Sequence, residues 1–74
     1  MKELKEYIES SLTPVQQSAL QSHMRWTDYQ WTWHINHPDR WTHLEILALA
    51  AFTGIDYDTW TNEYGLGKKN SATA

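Results

Sequence analysis

Side chains able to hydrogen-bond, stack or bind a metal crowd into the middle of this chain. His34 and His37 stand three apart with His43 not far along, a spacing that can present imidazole nitrogens to zinc or nickel. A lasting site needs more donors, and there is no cysteine and no carboxylate set beside these histidines. Neither metal nor cofactor is expected. The histidines take an electrostatic reading instead, because protonation below about pH 6.5 makes this surface more cationic. Between Trp26 and Trp41 lie four of the five tryptophans, together with Asp28, Tyr29, Gln30 and Thr32. Such a mix suits recognition of another molecule. Catalysis is not expected: the chain lacks a thiol, a glycine-rich phosphate loop and paired carboxylates on one face.

The element that must position these groups is a short helix. Thr27 is its N-cap and Gln30 closes a capping box, with Trp26 before the cap able to staple onto Trp31. Pro38 disfavours helical dihedrals at His37, so the helix should stop at about Asn36. On a helical wheel Trp31 and Ile35 share the inward face, flanked by Thr27 and His34, while Tyr29, Thr32, Trp33 and Asn36 point away. An anchored helix with a polar, aromatic back is the form of a recognition helix.

Four further helices are predicted around it. Residues 2–11 carry Leu4, Tyr7 and Ile8 on one stripe that Leu12 extends. Thr13 with Pro14 and Gln16 starts a second helix running to about Met24, with Val15, Ala19, Leu20 and Met24 inward. Thr42 and Glu45 form a third capping box, Trp41 can staple onto Ile46, and the stretch from Leu44 to Phe52 is apolar nearly all round, which predicts the hub of the core. Gly54 supplies a left-handed stop, Asp56 caps a last helix from Tyr57 to about Tyr64, and Ile55 can staple onto Trp60. No strand pattern appears. One domain over residues 1–66 is predicted, with 67–74 a flexible polar tail.

At 74 residues the chain is close to the size at which one core is only marginally sufficient. Its net charge is −3, yet positions 23 to 43 hold Arg25, Arg40 and all four histidines against only Asp28 and Asp39. The least acidic surface thus surrounds the candidate recognition helix. Charged residues open the chain and no apolar run approaches membrane-spanning length, so a cytoplasmic protein with no membrane partner is expected.

The order of helices and the residues at their joints resemble the lambda-repressor-like, Cro-type helix-turn-helix family. The resemblance rests on Leu20, Met24 and Trp26, the Thr27 cap, Trp31 as buried anchor, and the exit Ile35-Asn36-His37-Pro38-Asp39-Arg40-Trp41-Thr42. Leu44, Leu47, Ala48 and Leu49, continued by Ala51 to Asp56, are similar to the family's fourth-helix block. Gln21 stands where that family usually has alanine.

What the resemblance implies is an all-α, compact bundle of five short helices and a repressor-like transcriptional regulator that reads double-stranded DNA in the major groove through the helix from Thr27 to Asn36. The positions matching the family's base-contacting ones are Asp28, Tyr29, Gln30 and Thr32, with Trp33 next along. Gln30 could pair bidentately with adenine, Thr32 could meet a base edge or a thymine methyl, and Asp28 could only accept. Phosphate contacts would come from Gln17, Arg25, Thr27, His37 and Arg40. A homodimer, common in the family, would use Tyr57, Trp60, Tyr64 and Leu66, although Trp60 and Tyr64 could equally close the monomer core. The other reading is a protein-interaction module that docks a partner through Tyr29 and Trp33, large aromatics one turn apart.

Overall fold

Threonine and aspartate caps set the helix starts. The computed structural model describes residues 1–68 and contains α1 (Leu4–Ser11), α2 (Pro14–Met24), α3 (Asp28–Asn36), α4 (His43–Thr53) and α5 (Tyr57–Asn62). A 3₁₀ turn, Pro38–Arg40, joins α3 to α4. No strand occurs among the described residues. All three capping boxes form: in each the threonine hydroxyl accepts the backbone N–H three residues on, and that residue's side chain accepts the threonine N–H. Asp56 caps α5 by accepting from Thr59 N.

Ten buried apolar residues make one core. Leu4 and Ile8 come from α1, with Leu12 just after it; Leu20 comes from α2, Ile35 from α3, Ile46 and Leu49 from α4, and Trp60 from α5. Trp41 and Leu66 enter from the connections and are completely enclosed. The Cα radius of gyration is 11.4 Å, matching the roughly 11 Å expected of a chain this long packed as one unit.

Several inward assignments are corrected. Val15 and Ala19 point to solvent while Leu20 and the half-buried Met24 face the core. The wheel gives the angle between side chains, and Gln17 and Gln21 take the inner positions because their amides are needed there. α4 is not enclosed on every side: Ile46 and Leu49 are buried, but Leu44 and Leu47 are exposed. α1 begins at Leu4 rather than at residue 2, because Lys2 N donates to Glu63 O at 2.9 Å and ties the N-terminus to the end of α5.

Gly67 was expected to begin the tail, yet it is buried and donates its N–H to Pro38 O at 2.9 Å. Its φ is +72°, and a Cβ there would meet Ile46 Cδ1 at 2.8 Å and Trp41 O at 3.2 Å. Glycine is required on both counts. The remainder of the expected tail, 69–74, lies outside the described residues.

Candidate functional site

α3 is held at several points. Ile35 is buried and Trp31 half-buried, as an anchored helix requires. Trp26 meets Trp31 with ring centroids 6.5 Å apart, the contact expected of a hydrophobic staple. At the other end the Trp41 indole N–H donates to His34 O at 2.8 Å, tying the last turn of α3 to the core.

The α2–α3 turn consists of Arg25, Trp26 and Thr27. Arg25 adopts a left-handed conformation, φ 59° and ψ 37°, and its N–H returns to Gln21 O and Ser22 O. Trp26 N also donates to Gln21 O, at 3.2 Å. The Gln21 amide then reaches across the turn, donating to Trp26 O at 3.2 Å and to Asp28 Oδ1 at 2.8 Å. Gln21 thereby fixes the angle at which α3 leaves α2. The sequence alone does not show this role, because glutamine has no fixed local partner.

A stack of indole and imidazole rings runs along α3. His34 lies flat on Trp26 at 3.8 Å and 11°, and His37 lies flat on Trp33 at 4.4 Å and 17°. His34 and Trp33 meet edge to face at 5.1 Å. Each imidazole is oriented by its own helix: His34 Nδ1 faces Gln30 O at 2.7 Å and His37 Nδ1 faces Trp33 O at 2.8 Å. A carbonyl only accepts, so these Nδ1 atoms carry hydrogen. His34 Nε2 then faces Glu45 Oε2 at 3.4 Å, a contact that becomes an ion pair when the ring is protonated.

The expected site residues therefore fall into two groups. Tyr29 is 76% exposed, Thr32 is exposed and Trp33 half-buried. These three remain available. Asp28 is exposed but already accepts from Gln21. Gln30 Oε1 accepts Thr27 N–H at 2.9 Å, so a bidentate pair with adenine would break the capping box. Its amide N–H groups are not used by the cap.

Among the phosphate candidates, Arg25 and Arg40 are exposed, on the α2–α3 turn and the 3₁₀ turn respectively. Thr27 and His37 border α3, each with its polar atom engaged by α3 backbone. Gln17 is corrected. Its amide donates to Ile8 O at 3.2 Å and Leu12 O at 3.1 Å, satisfying carbonyls at the end of α1.

Two of the dimer candidates are corrected, because a buried side chain cannot meet a second copy. Trp60 and Leu66 are fully buried. Tyr64 is half-buried with its ring 4.5 Å from Trp60, and the Tyr57 hydroxyl lies 2.8 Å from His43 Nδ1. Trp60 and Leu66 close the monomer core because the chain turns back after α5, with Leu66 N donating to Trp60 O at 3.1 Å.

No group of three or more His, Asp or Glu residues is arranged to hold a metal among the described residues. Within them, no helix is long and apolar enough to cross a membrane. No family model, curated protein or solved structure matches the chain.

Proposed function

We propose that the chain is a lambda-repressor-like helix-turn-helix regulator that binds double-stranded DNA sequence-specifically, with α3 in the major groove. The observation that carries this reading is the build of α3: braced by Ile35, Trp31, Trp41 and the Gln21 bridge, it leaves Tyr29, Thr32 and the Gln30 amide outward. Rigid support of exposed polar readers is what base recognition requires. Gln30 acts as a donor, directed at an acceptor such as guanine O6 or N7, because its carbonyl belongs to the cap. Thr32 and the Tyr29 hydroxyl supply the adaptable contacts. Arg25 and Arg40 supply the phosphate contacts, with His37 adding to them when protonated.

Titration against a mixed-sequence duplex, read by tryptophan fluorescence and anisotropy, tests the reading. With two arginines the log–log salt slope should be shallow, about −2. Gln30→Glu keeps an oxygen for the cap and removes the donor, so it should change the ranking of operator sequences as well as weaken all of them. Absence of binding at low salt overturns the reading.

A second reading is favoured by one observation, the exposure of Tyr29 beside Trp33 on a chain of net charge −3. There α3 docks a protein partner. Tyr29→Ala then abolishes capture while Gln30→Glu leaves it unchanged, which separates the two.

A further inference from the structure

His34 sits where three parts of the fold converge. Its ring lies flat on Trp26 of the α2–α3 turn at 3.8 Å and 11°, Trp41 of the α3–α4 connection stands edge-on to it at 6.1 Å, and its Nε2 faces Glu45 Oε2 of α4 at 3.4 Å. On its own helix it meets Gln30 O through Nδ1, at 2.7 Å, and the edge of Trp33. The neighbouring imidazoles are turned elsewhere: His37 covers Trp33, and His43 Nδ1 meets the Tyr57 hydroxyl. Among charged side chains, α4 thus presents Glu45 to the ring, while Arg25 stands exposed in the turn beside Trp26.

The tautomer leaves the contact with Glu45 incomplete. With the hydrogen at Nδ1 given to Gln30 O, a neutral ring presents a lone pair at Nε2, and the carboxylate opposite presents another. In that state no hydrogen lies between them. The carboxylate is not free to turn away, because its other oxygen accepts Thr42 N–H at 2.8 Å in the α4 capping box, where the helix dipole favours negative charge.

We propose that His34 and Glu45 form a proton-operated latch between α3 and α4. A proton taken up at Nε2 supplies the missing donor, which turns the contact into a charge-assisted hydrogen bond and places a cation on the face of Trp26. The two side chains are only 15% and 23% exposed, so salt screens the pair little. The latch joins the last turn of α3 to the first turn of α4. Falling pH therefore tightens the hold on the helix that carries Tyr29, Thr32 and the Gln30 amide, whichever partner those groups meet.

Nitrogen-15 NMR of the full chain from about pH 8 to about pH 5, the range in which imidazoles titrate, tests this. It needs no ligand, so its outcome is separate from whether α3 reads DNA. At the alkaline end His34 should carry hydrogen at Nδ1 with Nε2 bare. At the acid end an Nε2–H should appear that exchanges with water at least about fivefold more slowly than that of the exposed His23. Amide protection factors in the last turn of α3 should rise about threefold over the same range. Glu45→Gln is the decisive variant: its carbonyl keeps the Thr42 cap, while its NH2 donates to a bare Nε2 and opposes an Nε2–H, so the rise should disappear or reverse. His34→Phe keeps a ring on Trp26 and should flatten the response. Hydrogen on Nε2 of the neutral ring, an Nε2–H as labile as that of His23, or an undiminished rise in either variant overturns the inference.

Discussion

Trp41 and Trp60 are both 0% exposed, and the protein surrounds them by different means. The Trp41 N–H is hydrogen-bonded to His34 O at 2.8 Å, its ring stands edge-on to Trp26 at 5.3 Å, and Gly67 closes against its carbonyl. Trp60 is bounded by rings, with Tyr7 at 5.1 Å and 85° and Tyr64 at 4.5 Å. Its N–H has no hydrogen-bond acceptor among the described residues. Trp41 therefore fixes a direction, joining α3 to the core through a bond with one geometry. Trp60 contributes area, offset by an N–H removed from water, which costs about 1–3 kcal/mol. The candidate recognition helix hangs from the directional tryptophan, where orientation matters most.

Replacing each indole by a smaller apolar ring tests that contrast most severely. Trp41→Phe should destabilise by about 3 kcal/mol, combining lost volume with the lost hydrogen bond to His34 O, and Trp60→Phe by only about 1–2 kcal/mol, because no hydrogen bond is lost. Urea denaturation followed by circular dichroism ranks them. Equal losses would dissolve the distinction between the two sites.

Gly67→Ala acts on Trp41 from above. A methyl group would press on Ile46 and the Trp41 carbonyl with φ at +72°, and about 2 kcal/mol should be lost. Gly54→Ala is the control. It shares the positive φ but meets nothing within 4 Å, so its loss should be about 1 kcal/mol. The difference in thermal midpoints isolates the closure over Trp41. Gln21→Ala, which releases Trp26 O and Asp28, should cost about 1 kcal/mol and raise amide exchange at the start of α3.

The smallest effects are titrations around Trp60. Hydrogen bonds from Thr59, its side chain first and its backbone second, hold the Asp56 carboxyl below its ordinary value. A depressed folded value means stabilisation that is complete above the unfolded value and lost as pH falls through the folded one, below about pH 4. Burial, and then the nearby Tyr64, push the Tyr7 phenol up. Here stabilisation is complete below about pH 10 and lost as pH rises through the folded value. Lys2, raised by its hydrogen bond and pairing with Glu63, adds to the same alkaline limb. Asp56→Asn keeps a capping oxygen and should flatten the acid limb, while Tyr7→Phe should reduce the alkaline one. Denaturation midpoints against pH measure both.

Helix starts were legible because a capping box is a relation between residues three apart, and Thr13, Thr27 and Thr42 each have the right partner within reach. The inward placement of Trp31 and Ile35 follows from the same local geometry. Orientation failed where the sequence leaves it undetermined. α4 is apolar around most of its circumference, so nothing local says that Leu44 and Leu47 face out. Val15 and Ala19 lost the inner face of α2 to Gln17 and Gln21, whose partners lie on other segments. Trp60 and Leu66 read as surface candidates because the return after α5, anchored on Pro38 by Gly67, is a contact between distant parts of the chain.

Arg25 is the one residue other than glycine with positive φ among the described residues. Gly54, Gly65 and Gly67 occupy the comparable positions elsewhere. A side chain in that conformation is disfavoured by about 1 kcal/mol relative to glycine. On the proposed reading of Arg25 as a phosphate contact, position 25 is consequently under two opposed pressures. A library selected for thermal endurance alone should drift to glycine there, whereas one selected for the proposed DNA binding should retain arginine, making this codon a sensor of which trait a lineage has been kept for.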